Sequence, residues 1–292
     1  MLYIGEHEGK AMVLHNTWGL KTSVFGWKGR HVIGKSVITD LHVGAKHPWV
    51  PTQNLLISKL TSMRILPHQS IEQRLLRAYP EALTRIENNR ISFKNGTVLP
   101  LQNPQTNTDT SLLENPSVQE QFHFNYPALS PLLTPTTDPG RIRNEAFFKA
   151  LYGETETAIK ARLTTVHWLP SHENRPLLFH QDHGAARALQ KVSDELDRLP
   201  ESLLNYVKDP AGTYNHRIIA GTNRLSMHSF GIAIDINTKR GDYWRWNTPA
   251  VYANQIPEPI VHIFEKHGFI WGGRWRHYDT FHFEYRPELA QP

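Results

Sequence analysis

Two short segments with opposed apolar and polar faces place the tightest limits on the fold. In Ile232-Ala-Ile-Asp-Ile236 the three isoleucines fall on one side of an extended chain, and Ala233 and Asp235 fall on the other, because successive strand side chains alternate. In Thr280-Phe-His-Phe-Glu-Tyr285, Phe281, Phe283 and Tyr285 share one side, while Thr280, His282 and Glu284 share the other. Each segment predicts a half-buried strand that rests its apolar side on helices and turns an ionisable group toward a cleft. Such strands belong to a small antiparallel sheet with helices on one side, an α+β fold.

The helices that would cover the sheet are legible around these segments. Ser70-Ile-Glu-Gln73 is a capping-box pattern that opens a helix which Pro80 ends or kinks. Residues Ile142–Tyr152 and Glu154 to about Val166 predict two helical tracts. Leu189, Val192, Leu196 and Leu199 form one apolar stripe on a helix running from near His183 to Pro200. Pro257 and Pro259 open a further helix through Ile260, Ile263 and Phe264, closed by Gly268. Arg217–Ala220 and Phe269–Trp271 read as additional strands. Asn95-Gly96, flanked by Arg90–Lys94 and Thr97–Leu99, is a hairpin signal.

Residues 102–140, rich in Pro, Asn, Thr and Ser, predict a long irregular connection at the surface. Residues 1–65 are expected to be a small β-rich piece, with strands at Met1–Ile4, Ala11–Leu14 and Val32–Ile38 and turns at Gly5, Gly9 and Gly34. The organisation expected is therefore 1–65 as this piece, 66–140 as helix, hairpin and connection, and 141–292 as the core that carries the site.

Composition narrows the chemistry. The 292 residues can bury a core without disulfides, and the absence of cysteine excludes disulfide frameworks, thiolate metal sites and cysteine nucleophiles. Any metal must be held by His, Asp or Glu. The net charge of +5 suits an acidic partner such as nucleic acid, an anionic membrane surface or cell-wall polymer. The basic residues are dispersed, with no run of five or six, which argues against nucleic acid. No apolar segment approaches the roughly 18 residues that span a bilayer, and Glu6 and Glu8 interrupt any signal-peptide pattern at the N-terminus.

Strand parity turns the opening segments into a site. Asp235 and His282 each stand opposite an apolar face, and His228 precedes the first strand with Gly231 available for a tight reversal that swings its imidazole toward Asp235. His228, Asp235 and His282 with one open position are what a catalytic Zn2+ requires, whereas a structural zinc is closed by four protein ligands. Asp279 has the wrong parity to stand beside His282 and is placed at the mouth of the strand, as the candidate general base. The plain competitor is a set of core or surface histidines, since most of the 17 must be such residues. His180-x-x-His183 with Asp182, His262 and His267 are left without a role on that ground. Trp271 and Trp275 either line the cleft or pack beside Gly272-Gly273.

The pattern S-x-H-x-x-G-x-A-x-D followed by a carboxylate-x-x-His resembles the zinc D-alanyl-D-alanine carboxypeptidase and L-alanyl-D-glutamate peptidase family, which includes vancomycin-resistance dipeptidases and phage endolysins. The resemblance extends through DPGRIRNEAFF, YNHRIIAGTNRLSMHSFGIAIDIN and GFIWGGRW, over roughly residues 75–290. It implies zinc on His228, Asp235 and His282, with Asp279 as base where many relatives carry glutamate. It also implies that Arg217 holds the substrate carbonyl and stabilises its oxyanion, and that Ser226 lies near the substrate. Arg217 read by itself is equally a structural ion-pair partner.

The implied activity is hydrolysis of peptidoglycan stem peptides, with a non-catalytic zinc-containing peptidoglycan-binding or scaffold protein as the alternative. Such a substrate places the protein in the periplasm or cell envelope. A second resemblance covers MLYIGEHEGKAMVLHNTWG, which is similar to the C-terminal half of NlpC-type cysteine peptidases. The family's catalytic cysteine and histidine have no counterpart here, and His15 alone matches a site position. The implication is an inactive remnant, or a true start upstream of Met1 that would also carry the missing export signal.

Overall fold

The computed structural model describes strand backbone between Leu2 and Asp40, positions 42, 46 and 50, and then residues 69–103, 111–246 and 249–290. Met1–His68 and Gln69–Pro292 are two compact units. In the first, β1 (Leu2–His7), β2 (Lys10–His15) and β5 (Val37–Asp40) form an antiparallel sheet in the order β1-β2-β5, and β3 (Gly19–Val24) pairs with β4 (Trp27–Val32). The single strand expected over Val32–Ile38 is divided, since Val32 ends β4 and Val37 begins β5. His15 lies at the end of β2 opposite Val37, and its side chain is outside the described residues.

The second unit begins with α1 (Ile71–Ala78), where Ser70 Oγ accepts the Gln73 N–H and the Gln73 side chain accepts the Ser70 N–H. β6 (Leu83–Glu87), β7 (Arg90–Phe93) and β8 (Val98–Pro100) follow as a meander, with the β7–β8 turn at Asn95-Gly96. β6 lacked a clear sequence signal because its turn, Asn88-Asn89, reaches positive φ without glycine. The long connection holds the short α2 (Ser111–Glu114) and a 3-10 turn at Gln119–Phe122. α3 (Glu145–Tyr152) is capped by Asn144, and α4 (Glu156–Lys160) by Thr155.

Two expectations fail here. The helix expected to reach Val166 stops at Lys160, and Leu163–Trp168 is instead strand β9, paired antiparallel with β10 (Arg175–His180). Thr164, Thr165 and Val166 are β-branched and stiff at χ1, and a partner strand outweighs the weak helical spacing. Arg217–Ala220 is not a strand. Its pairing shrinks to one bridge, Ile218 with Leu225, because the chain turns back through Gly221 within a few residues.

α5 (Ala185–Leu196), α6 (Glu201–Leu204) and α7 (Glu258–Lys266) complete the helices, and β11 (Ala233–Asp235), β12 (Phe269–Trp271) and β13 (His282–Tyr285) the strands. The last three form an antiparallel sheet in the order β11-β13-β12. Its apolar face is the centre of the core: Ile232, Ile234, Ile236 and Phe283 are fully buried, and Phe283 stacks on Phe264 of α7 with ring centroids 3.8 Å apart. α5 buries Leu189, Val192 and Leu196 against β9, β10 and α7. A helix layer under one face of an antiparallel sheet leaves the other face free to carry a site.

Candidate metal and catalytic site

Register decides which side chains meet on the open face. Asp235 pairs directly with His282, and Ile234 with Phe283, so alternation puts the carboxylate and imidazole side by side and the apolar pair beneath them. His228 enters from a 3-10 turn at Met227–Phe230, where Ser226 Oγ accepts the His228 N–H at 3.4 Å. Gly231 then turns the chain into β11 with φ of +67°, and a Cβ there would lie 2.6 Å from Leu163 Cδ2, so both conformation and space demand glycine. Gly272 does the same for Asp279: a Cβ on it would sit 2.5 Å from the Asp279 carbonyl oxygen, and the Asp279 N–H donates to the Gly272 carbonyl at 3.0 Å.

The three donor atoms converge. His282 Nδ1 lies 2.7 Å from Asp235 Oδ1 and 3.2 Å from His228 Nε2, and His228 Nε2 lies 3.2 Å from Asp235 Oδ1. The opposite nitrogens are already committed: His228 Nδ1 donates to the Thr213 carbonyl at 2.5 Å, and His282 Nε2 to Glu284 Oε1 at 2.9 Å. With those outer protons fixed, His228 Nε2, His282 Nδ1 and Asp235 Oδ1 face one another, and once His282 Nδ1 gives up the proton it shares with Asp235 the three make a donor set that fits a cation. It is the one cluster of three metal-capable side chains among the described residues.

Without a cation, the His282 ring holds that extra proton. Burial opposes charge on His282, yet Asp235 and Glu284 outweigh it and raise its pKa to about 10. Burial would raise Asp235, yet His228 and His282 hold it well below the usual carboxylate range.

Asp279 sits three residues before His282, just outside β13, and bridges to Tyr243. Its Oδ1 is buried with no hydrogen-bond partner among the described residues. Burial is the main cause that pushes its pKa up to about 7; His282 and Arg217 oppose this, and Asp235 and Glu284 reinforce it. Arg217, Ser226, Asp235, Asp279 and His282 line one cleft of about 460 Å³. Arg217 has its backbone tied to Ser229 by bonds of 2.9 Å while its side chain is exposed. Ser226 is buried, with its hydroxyl serving the turn that presents His228. Trp275 lines the cleft 5.8 Å from the His282 ring, whereas Trp271 is core and donates its indole N–H to the Thr280 carbonyl.

Sequence reasoning gave no role to Glu284 or Arg143. Glu284 is fully buried and receives Arg143 through two hydrogen bonds, which with His282 hold its carboxyl far below the usual range despite burial. The available signal was position: two residues beyond His282, Glu284 shares its face and can reach its outer nitrogen.

A family model described as D-alanyl-D-alanine carboxypeptidase matches residues 220–285. Over that segment the chain is similar to these peptidases. The match spans Ser226, His228, Asp235, Asp279 and His282, and begins after Arg217. It lies wholly in the second unit, so the NlpC-type likeness of residues 1–65 gains no support from it. No curated protein sequence matches the chain.

Proposed function

We propose that this protein is a zinc-dependent peptidase that hydrolyses bacterial peptidoglycan stem peptides, in the manner of a D-alanyl-D-alanine carboxypeptidase. The observation that carries the reading is the convergence of His228 Nε2, Asp235 Oδ1 and His282 Nδ1 in one cleft with Asp279, whose Oδ1 is buried without a hydrogen-bond partner among the described residues. Two imidazoles and one carboxylate suit zinc, and three protein ligands rather than four favour a catalytic site over a closed structural one. Bound there, zinc supplies Lewis acidity that polarises a scissile carbonyl and eases deprotonation of water.

The chain's own groups supply the remainder. Asp279, with a pKa near neutrality, takes a proton from the attacking water and passes it to the leaving amine. Arg217 donates to the carbonyl oxygen as negative charge develops, a contribution of roughly 3 kcal/mol for one such donor. Glu284, anchored by Arg143, fixes the His282 ring so that Nδ1 faces inward. Ser226 holds the turn that presents His228 and lines the floor beside the substrate. A stem-peptide substrate places the protein in the periplasm or cell envelope.

Purified protein reconstituted with zinc and incubated with muropeptides should release D-alanine, or a product cut between L-alanine and D-glutamate, detected by mass spectrometry. Absence of any cleaved product from the metal-replete protein would overturn the peptidase reading and favour a peptidoglycan-binding scaffold.

A further inference from the structure

Four guanidinium groups line the cleft, and they are unequally paired. Arg143 is committed to Glu284 and lies over the Trp275 ring. Arg217 is assigned above to the carbonyl oxygen. Arg141 and Arg224 remain. The carboxylate nearest Arg141 is Asp138, 3.8 Å from Nη1 and beyond hydrogen-bond reach. Asp138 is itself engaged by the His277 backbone N–H at 2.9 Å and the His277 ring at 2.8 Å. For Arg224 the nearest carboxylate is the exposed Glu114, 3.8 Å from Nε, and that Nε is buried without a hydrogen-bond partner among the described residues.

Both side chains are four-fifths buried or more. Burial first, and mutual repulsion with Arg143 besides, depresses the pKa of each. Desolvated cations with unspent donors are costly unless an anion meets them. Sites that break the rule of satisfied burial are where a ligand is expected.

The chemistry of that ligand follows from the donors and their surroundings. A guanidinium presents a planar fork that matches a carboxylate. The walls beside it are aromatic: Trp244 lies 6.0 Å from Arg141, and Trp275 forms the inner wall. Low-polarity walls strengthen an ion pair that a peptide brings with it. Counting Arg141, Arg143, Arg217 and Arg224 against Asp235, Asp279 and Glu284, the cleft has four cations for three carboxylates before any metal is added. A bound dication widens that excess.

We infer that Arg141 and Arg224 form a subsite that reads a carboxylate of the peptide substrate, next to the metal-ligand set. The inference rests on the peptidase reading for the nature of the ligand. Two parts of a stem peptide carry this chemistry: the free C-terminus beyond the scissile bond and a side-branch α-carboxylate before it. Reading the first makes the protein an exopeptidase, and reading the second makes it sequence-selective within the stem.

The test is equilibrium binding, by calorimetry, to the full-length metal-free protein. One arm compares diacetyl-L-lysyl-D-alanyl-D-alanine with its C-terminal amide, and the other compares an L-alanyl-γ-D-glutamyl peptide with free or amidated α-carboxylate. In at least one arm the acid should bind about 10- to 100-fold more tightly than the amide, as expected for charge-assisted hydrogen bonds. Arg224→Gln and Arg141→Gln should bring that ratio to within about threefold at unchanged melting temperature, and Arg224→Lys should restore part of it.

Equal binding of acid and amide in both arms, no binding of any peptide, or a ratio that survives both glutamine variants overturns the subsite. Turnover by the zinc-reconstituted enzyme is scored separately. Its absence sinks the peptidase reading, while turnover without acid preference sinks the subsite alone.

Discussion

Two histidine pairs of this chain, each accompanied by an aspartate, differ in what their ring nitrogens face. His180 and His183 flank Asp182, yet His180 gives Nε2–H to the Tyr152 carbonyl at 2.9 Å and accepts the Asp182 N–H on Nδ1, and His183 Nε2 bonds the Leu151 carbonyl at 2.9 Å. His228 and His282 are remote in sequence and bring their inward nitrogens within 3.2 Å of each other beside a carboxylate. The first pair is tied to backbone, and burial lowers the His180 pKa to about 4, so that ring stays neutral. The second pair turns its remaining nitrogens toward a shared carboxylate, where a cation can replace the proton between them. What separates a structural histidine from a ligand is therefore the destination of its second nitrogen.

The largest way to break this contrast is His228→Ala, which should abolish stoichiometric zinc and all turnover, while His183→Ala keeps the metal. Metal content by elemental analysis checks both. Retained zinc in His228→Ala would dissolve the distinction. Next, Asp279→Asn should lower turnover by about 10²- to 10⁴-fold, the range of a general base, with zinc content unchanged; steady-state kinetics alongside metal analysis measure it. Glu284→Gln should weaken zinc by about 10- to 100-fold, as loss of an outer partner of a ligating imidazole does, read by competition with a chelator.

The smallest effect on the site comes from the structural pair. His180 has a folded pKa below its unfolded value near 6.5, so the unfolded chain binds the proton more readily between about pH 4 and 6.5. Stability from its neutral burial is complete above that window and is lost as pH falls through it, by roughly 3 kcal/mol. His180→Gln should flatten the pH dependence of denaturant midpoints across this range and leave zinc affinity unaltered. A slope identical to that of the parent protein would remove His180 as its source.

Much of the scaffold was readable locally. The capping box at Ser70, the Asn95-Gly96 hairpin, the apolar stripe of α5 and the alternation of β11 and β13 each depend on neighbours a few residues apart. The β9–β10 hairpin was missed because Glu156–Lys160 is a true helix whose spacing continues across Leu163 by coincidence, and the strand partner begins only at Arg175. The brevity of pairing at Ile218 was missed because its β-branched run gives no hint of the turn through Gly221. Arg143 and Glu284 were overlooked as a pair since they meet across 141 residues.

The residues alone determined that Asp235 and His282 stand opposite apolar faces, that glycine follows His228, and that no thiol can ligate a metal, because parity, backbone freedom and composition are local or chain-wide properties. Tertiary structure decided the remainder. Antiparallel register set Asp235 against His282, the Thr213 carbonyl and Glu284 chose which nitrogen of each imidazole faces inward, and burial raised Asp279 toward neutrality. These are outcomes of proximity and desolvation, which exist only once distant segments are packed together.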